Sequence, residues 1–188
     1  EWYGSTPLYD PFCGSGTLLC EGYLRATHTP AAVLRAKFGF ERLPDFDAAL
    51  WHQVKNEGME KIAPLAKGVI AGSDISAEAT ESAGHNCAVI DPKNVIEIKR
   101  KDIFNIANLE GKTIVCNPPY GIRMGKNADL AGFYKSIGDF LKQRCTGSTA
   151  YIYFGERKYL KNIGLKPSWK KQLSNGGLDG RLAKYEMY

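Results

Sequence analysis

The sequence predicts an α/β fold built on a mainly parallel, seven-stranded sheet with an antiparallel terminal hairpin. Three observations predict it. Short apolar runs bounded by turn residues alternate with longer segments at helical spacing, the pattern of βαβ units. The last two strand-like runs have no helix between them, only the turn-rich Ser174–Gly180 (SNGGLDG), which makes a hairpin. Four polar motifs follow the first four strands, at the edge where open α/β sheets place ligands.

Taken in order, Thr6–Asp10 reads as the first strand, and Ser15–Ala26 as a helix with Leu18, Leu19, Gly22 and Tyr23 at helical spacing. Residues 28–66 interrupt the alternation. Pro30, Gly39, Pro44 and Pro64 punctuate this stretch, and Asp47–Ala63 within it reads as a helix carrying Leu50, Trp51, Val54 and Ile62. It is too short to close a core of its own, so it is read as a helical insertion within one domain spanning residues 1–188. Val69–Ser73 is the second strand. Ala77–Val89 is a helix with Ser76 as N-cap and Glu78 and Glu81 near its positive end. Val95–Lys99 and Lys112–Asn117 are the third and fourth strands. Asp129–Arg144 is a helix with Leu130, Phe133, Tyr134, Ile137, Phe140 and Leu141 on one side. Ser148–Phe154 is the fifth strand, Glu156–Asn162 a short helix, and Leu165–Leu173 and Arg181–Met187 the final pair.

Composition narrows the class. Of 188 residues, 44% are hydrophobic and 24% charged, the balance of a globular domain rather than a disordered chain. No stretch approaches the roughly 18 apolar residues of a spanning helix, so no membrane association is expected. A net charge of +5 permits a polyanionic partner without requiring one. Cys13, Cys20, Cys87, Cys116 and Cys145 contain no Cys-x-x-Cys pair, and His28, His52 and His85 are far apart, so no metal site is expected. Buried or idle reduced thiols imply a reducing compartment, the cytosol.

The chemistry is concentrated at the strand ends. The first strand runs into Asp10-Pro11-Phe12-Cys13-Gly14-Ser15-Gly16-Thr17. A carboxylate followed by two glycines opening a helix is the layout of a nucleotide-type site, with glycines where a backbone must approach a ligand. A tight strand–helix turn without a ligand uses the same residues. The loop lacks the Gly-Lys-Ser/Thr of a triphosphate site. The second strand ends in Asp74. It lies 64 residues after Asp10, and removing the 39-residue insertion leaves 25, near the spacing of a ribose-binding acid. Asp74 is equally placed to serve the helix start beside Ser76. After the third strand, Asp102 could accept from an adenine amine, with Phe104 or Ile75 as an apolar face; a solvated loop aspartate is the alternative.

The most specific signal is Asn117-Pro118-Pro119-Tyr120-Gly121. Two prolines hold the backbone extended and remove competing donors, aiming the Asn117 carboxamide oxygen and the Pro118 carbonyl outward beside the flat Tyr120 ring. Paired acceptors next to an aromatic plate suit a planar group bearing an NH₂. An exocyclic base amine is a poor nucleophile because its lone pair is delocalised. Accepting its hydrogens lets the nitrogen pyramidalise, and stabilises the positive charge where it develops.

Together these motifs resemble the S-adenosylmethionine-dependent methyltransferases with a Rossmann-like, class I sheet. Asp-Pro-Phe-Cys-Gly-Ser-Gly-Thr and Asn-Pro-Pro-Tyr-Gly look most like the RNA guanine-N2 methyltransferases that carry an upstream THUMP-type RNA-binding domain. Within these, the bacterial 23S ribosomal RNA type (UPF0020-like) is the most similar. Its insertion bears a Trp-containing helix, like Ala49–Val54, and its C-terminal part an Asn-Gly-x-Leu-Asp stretch, like Asn175-Gly176-Gly177-Leu178-Asp179. The resemblance covers essentially the whole chain, and Phe12, where the wider superfamily often has glycine, matches its amine-methylating branches. It implies S-adenosylmethionine as methyl donor, no metal, a ribosomal RNA substrate and a cytoplasmic location. The Asp10–Gly16 loop, with Pro11, Cys13, Ser15 and Thr17, would hold the methionine part, Asp10 through its amino group. Asp74 would bind the ribose hydroxyls. Asp102 would bind the adenine amine, with Ile75, Ile103 or Phe104 on the ring. Asn117 and Pro118, followed by Pro119, would grip the target amine, and Tyr120 would stack on the flipped base. Arg123 and Lys126 would sit beside that base. The chain opens at Glu1 without the upstream module, so a catalytic domain that binds cofactor but methylates RNA weakly is expected. DNA adenine-N6 or cytosine-N4 methylation, protein glutamine methylation and non-catalytic cofactor binding are the competing readings of the same motifs.

Overall fold

A computed structural model of the chain describes residues 2–120, 129–175 and 178–188. Seven strands form one sheet: β1 (Leu8–Asp10), β2 (Ile70–Asp74), β3 (Glu97–Arg100), β4 (Thr113–Cys116), β5 (Thr149–Phe154), β6 (Trp169–Asn175) and β7 (Leu178–Glu186). Their order is β3-β2-β1-β4-β5-β7-β6. The first five strands pair in parallel, and β7 runs antiparallel to both β5 and β6. The α-helices are α1 (Thr17–Ala26), α2 (Ala48–Glu60), α3 (Ala77–Ile90) and α4 (Leu130–Arg144). Among the described residues no helix is long and apolar enough to cross a membrane.

Side chains alternate across the pleat, and each face is covered by different helices. Leu8 and Ile70 join Leu19 of α1 and Ala83 and Cys87 of α3. On the opposite face Ile114, Cys116, Ala150, Ile152 and Phe154 pack with Tyr134, Ile137, Phe140 and Leu141 of α4. The Tyr134 ring lies between Phe154 and Tyr159, with centroids at 5.2 and 5.3 Å. Burying each large apolar side chain of this layer contributes roughly 1.5–3 kcal/mol.

The insertion packs its aromatic residues on one another. Asp47 caps α2 by accepting from the Ala49 and Leu50 N–H groups, and Trp51 meets Phe38 and Phe40 edge-on, with centroids at 5.2 and 4.9 Å. No residue of α2 is buried. A bond from Ala63 N–H to Thr27 O (2.8 Å) fastens the returning chain.

The largest departures from the expected boundaries fall in the terminal pair. β6 starts at Trp169 rather than Leu165, after Pro167, which has no N–H for a ladder. The hairpin strands also run well into the stretch expected as its turn, leaving only residues 176–177 between them. Polar pairing across the ladder accounts for this. Gln172 Nε2 donates to Asp179 Oδ1 (2.9 Å), and Arg181 pairs with the same carboxylate.

β1 ends on a buried acid. Asp10 is 1% exposed, and its Oδ1 accepts from Phe12 N–H (2.9 Å), closing the turn that leaves the strand. Burial pushes the carboxyl up to about 7, with the Phe12 hydrogen bond opposing and the nearby Asp74 charge adding. The native state therefore holds a proton that the unfolded chain has released. The resulting stabilisation is complete below about pH 4 and is lost as pH rises to about 7. Asp10→Asn keeps the acceptor without the charge. It is expected to raise unfolding free energy at pH 8 by an amount on the order of 2–4 kcal/mol, with the gap closing towards pH 4. Urea titrations at both pH values check this; equal stability at pH 8 would show that the buried charge costs nothing.

Candidate functional site

The carboxyl ends of β1, β2, β3 and β4 converge on one cavity of about 440 Å³. Its position follows from strand order. The connections leaving β1 and β4 diverge to opposite faces, and the gap between these strands is the crevice where such sheets bind ligands.

Pro11, Phe12 and Gly14 line one side. Gly14 has φ +51°, and a Cβ there would meet nothing within 4 Å, so the glycine serves conformation and leaves the cavity open. Gly16 has a different reason. Its φ is +84°, and a Cβ would come within 3.1 Å of Ala83 and 3.3 Å of Cys87 Sγ. The approach of α3 by itself requires a glycine here, whereas Gly14 is the glycine of this loop on the cavity wall. Cys13 is buried behind the loop, Ser15 O accepts from Asn86 Nδ2 (2.9 Å), and Thr17 opens α1. None of Asp10, Cys13, Ser15, Gly16 or Thr17 is on the cavity wall.

Asp74 is on the wall and joins two loops. Its Oδ2 accepts from Gly14 N–H (3.0 Å) and its Oδ1 from Ser76 N–H (2.9 Å). Asp74 thus also serves the start of α3, beside Ser76, which caps the helix through Ala79 N–H (3.2 Å). Ile75 beside it is 64% exposed, an apolar side chain facing open space at the rim. Arg100 Nε donates to Ile75 O (3.2 Å) and braces that turn.

Asp102 caps the short turn Ile103–Asn105 by accepting from Phe104 N–H (3.0 Å). Asp102, Ile103 and Phe104 all line the cavity. So does Phe133 of α4, edge-on to Phe12 at 5.8 Å and to Phe104 at 6.2 Å. The sequence pattern shows Phe133 only as part of the apolar stripe of α4. Its place at the margin of that stripe, next to fully buried Tyr134, is the signal that it reaches past the core.

After β4, Asn117 and Pro119 line the cavity and Pro118 is buried. The Asn117 Oδ1 is buried and has no hydrogen-bond partner, a state that costs roughly 1–3 kcal/mol until a donor arrives. Tyr120 stands beyond the cavity wall. A Cβ on Gly155 would meet three atoms of its ring at 2.7–2.9 Å, so the ring lies flat over that glycine, with Tyr153 edge-on at 6.1 Å. Gly121, Arg123 and Lys126 lie outside the described residues. Elsewhere on the surface, Lys99 and Lys158 pair with Glu97 and Glu156 (3.9 and 2.6 Å), and Lys171 lies over Trp169.

The wall chemistry suits an adenosyl group. Two carboxylates, Asp74 and Asp102, offer acceptors to hydroxyl or amine groups, apolar Ile75, Ile103 and Phe104 offer cover to a flat ring, and Asn117 brings an unmet acceptor. A larger hollow of about 620 Å³ between α1 and the β4–β5–β7 face holds Val115, Tyr151, Trp169 and Leu182, without such converging acceptors. Among the described residues no group of three or more His, Cys, Asp or Glu could hold a metal ion.

Comparison with known proteins agrees with this geometry. The family described as UPF0020, RMKL-like methyltransferase domain, matches residues 1–184. A Synechocystis protein, named provisionally as an RNA methyltransferase, is 36% identical over all of this chain and 49% of its own length. The ribosomal RNA large subunit methyltransferase K/L of Photobacterium profundum is 32% identical over 98% of this chain and 27% of its own length. The structure of SMU.472, provisionally named a methyltransferase and complexed with SAH, superposes with a TM-score of 0.89 at 25% identity, over 100% of this chain and 50% of that one. The chain thus spans about half the length of the first relative and about a quarter of the second. With its sheet order, its strand-end cleft and the match over residues 1–184, the chain belongs to the UPF0020 family of RMKL-like methyltransferase domains.

Proposed function

We propose that this domain binds S-adenosylmethionine in the strand-end cleft and methylates an exocyclic base amine, guanine N2 of ribosomal RNA. The observation that carries the reading is the buried, unpartnered Asn117 Oδ1 at the edge of a cleft lined by Asp74 and Asp102. SAH in the related SMU.472 structure supports the choice of cofactor, and the names of the Synechocystis and Photobacterium relatives support RNA as substrate.

When bound, the cofactor supplies an electrophilic methyl group. The protein's part is positioning. Asp74 has each oxygen engaged by one backbone N–H and keeps further lone pairs for ribose hydroxyls. Asp102 accepts from the adenine amine, while Ile75 and Phe104 cover the ring and keep water from it. Asn117 Oδ1 and the Pro118 carbonyl accept the two hydrogens of the target amine, turning its lone pair towards the methyl group. Tyr120, seated on Gly155, presents its ring to the base. No side chain on this path acts as a dedicated base, so the proton leaves after transfer. Most of the RNA grip is assigned to the part of the relatives that this chain does not cover.

Methylation of total RNA by the full-length protein with labelled cofactor, followed by nucleoside analysis, tests the substrate. N2-methylguanosine is expected, and N6-methyladenosine would overturn the assignment. Asn117→Ala is expected to lower turnover by about 10²–10³-fold while cofactor affinity, read by calorimetry, changes by less than about fivefold. Asp74→Ala should do the reverse in emphasis, weakening cofactor binding by about 10–100-fold through loss of a charged acceptor. Gly155→Ala pushes a methyl into the Tyr120 ring. Turnover should fall with cofactor affinity unchanged, and unaltered turnover would remove Tyr120 from the target site.

A further inference from the structure

Two thiols touch beneath the cleft's first loop. Cys20 lies on α1 and Cys87 on α3, 67 residues apart in the chain, with their Sγ atoms 3.6 Å apart. Both are free cysteines. Cys87 is 4% exposed, whereas Cys20 is only half-buried, so solvent reaches the pair from the α1 side. The proposed methyl transfer uses neither.

We propose that Cys20 and Cys87 form a redox-active dithiol, which hydrogen peroxide converts to a disulfide joining α1 to α3. A disulfide needs about 2.0 Å between sulfurs, so the pair must close by roughly 1.6 Å, within reach of side-chain rotation and a small shift of two packed helices. The chemistry distinguishes the partners. The Cys87 thiol beside Cys20 holds the Cys20 thiol below its usual range, and the same contact together with burial pushes Cys87 up. Cys20, the partner that solvent reaches, is therefore the nucleophile, and buried Cys87 the resolving thiol.

The Cys20 thiolate attacks one peroxide oxygen. An S–O bond forms, the O–O bond breaks, and the departing hydroxide takes up a proton as water. The Cys87 sulfur then attacks the Cys20 sulfenic sulfur. The S–S bond forms, the S–O bond breaks, and the leaving hydroxide carries off the Cys87 proton as a second water. Two thiols lose two electrons and two protons, and the peroxide is reduced to two waters. A reducing thiol reverses the bridge by exchange.

The bridge would close directly behind the cleft loop. Cys87 Sγ stands 3.3 Å from where a Cβ on Gly16 would be, and neighbouring Asn86 holds Ser15 O. By contrast Cys13, Cys116 and Cys145 are buried, and burial pushes the thiols of all three up.

Peptide mapping of the whole chain after mild hydrogen peroxide and alkylation tests the proposal without any variant. The expected product is a Cys20–Cys87 cross-linked peptide, lighter by two hydrogens and restored by dithiothreitol. Cys20 should react at least about tenfold faster than Cys145. Cys87→Ser should leave a sulfenic acid at Cys20 that a dione reagent traps. Full alkylation of both cysteines after peroxide treatment, or cross-links joining other cysteines, would overturn it.

Discussion

The cleft depends on how the Asp74 carboxylate spans two strand ends. One oxygen holds the loop leaving β1 through Gly14 N–H, and the other holds the turn into α3 through Ser76 N–H. The parallel register makes this possible. Asp10 lies opposite Gly72, so the chain leaving β1 passes over the end of β2, where Cys13 N–H also reaches Ser73 O at 2.9 Å. Hydrogen bonds to a charged acceptor are worth about 1.5–3 kcal/mol each, enough to hold the loop in place before any ligand arrives. Gly72 is part of the same constraint. A Cβ there would stand 2.8 Å from Leu19 Cδ1 and 3.0 Å from Asp10 O, so a side chain would push the two strand ends and α1 apart.

Against this rigid wall stand two polar groups held in unfavourable states. Asp10 is a buried acid pushed up to about 7, and Asn117 carries a buried acceptor without a donor. The strand order places them at the ends of neighbouring strands, β1 and β4, on either side of the crevice. A fold selected for stability alone would pair or remove both. Only Asn117 is on the cavity wall, where the donor of a bound group could meet its oxygen; Asp10 lies behind the wall and spends one oxygen on the Phe12 N–H.

Much of this could be read from residue order, because the features concerned are local. Apolar periodicity located all seven strands, and Ser76 and Asp129 were placed at the starts of the helices they cap. What escaped were properties of distant pairs. Gly16 is shaped by Ala83 and Cys87 across the α1–α3 contact, which no local pattern displays. Phe133 enters the cavity because α4 crosses the end of β4. The Cys20–Cys87 contact joins helices separated by the insertion, so five scattered cysteines read as idle thiols. The hairpin strands run longer than expected because Gln172 reaches Asp179 across the ladder while Arg181, two residues along the same strand, pairs with that carboxylate.

The same pairings give the terminal hairpin a place in the site. Gly180 of β7 leaves room for the Tyr153 ring and hydroxyl, where any Cβ would collide. Tyr153 in turn meets Tyr120 edge-on, and Tyr120 rests on Gly155 just past the end of β5. The aromatic plate after the Asn-Pro-Pro segment is therefore supported by Gly155 and by Tyr153 of β5, which Gly180 of β7 accommodates. An antiparallel strand is what permits this. Running against β5, β7 begins where β5 ends, so its first residues lie at the cleft edge, whereas a parallel strand in that position would deliver its first residues to the opposite edge of the sheet. The departure from parallel pairing, legible from the missing helix alone, is what places the floor of the aromatic site.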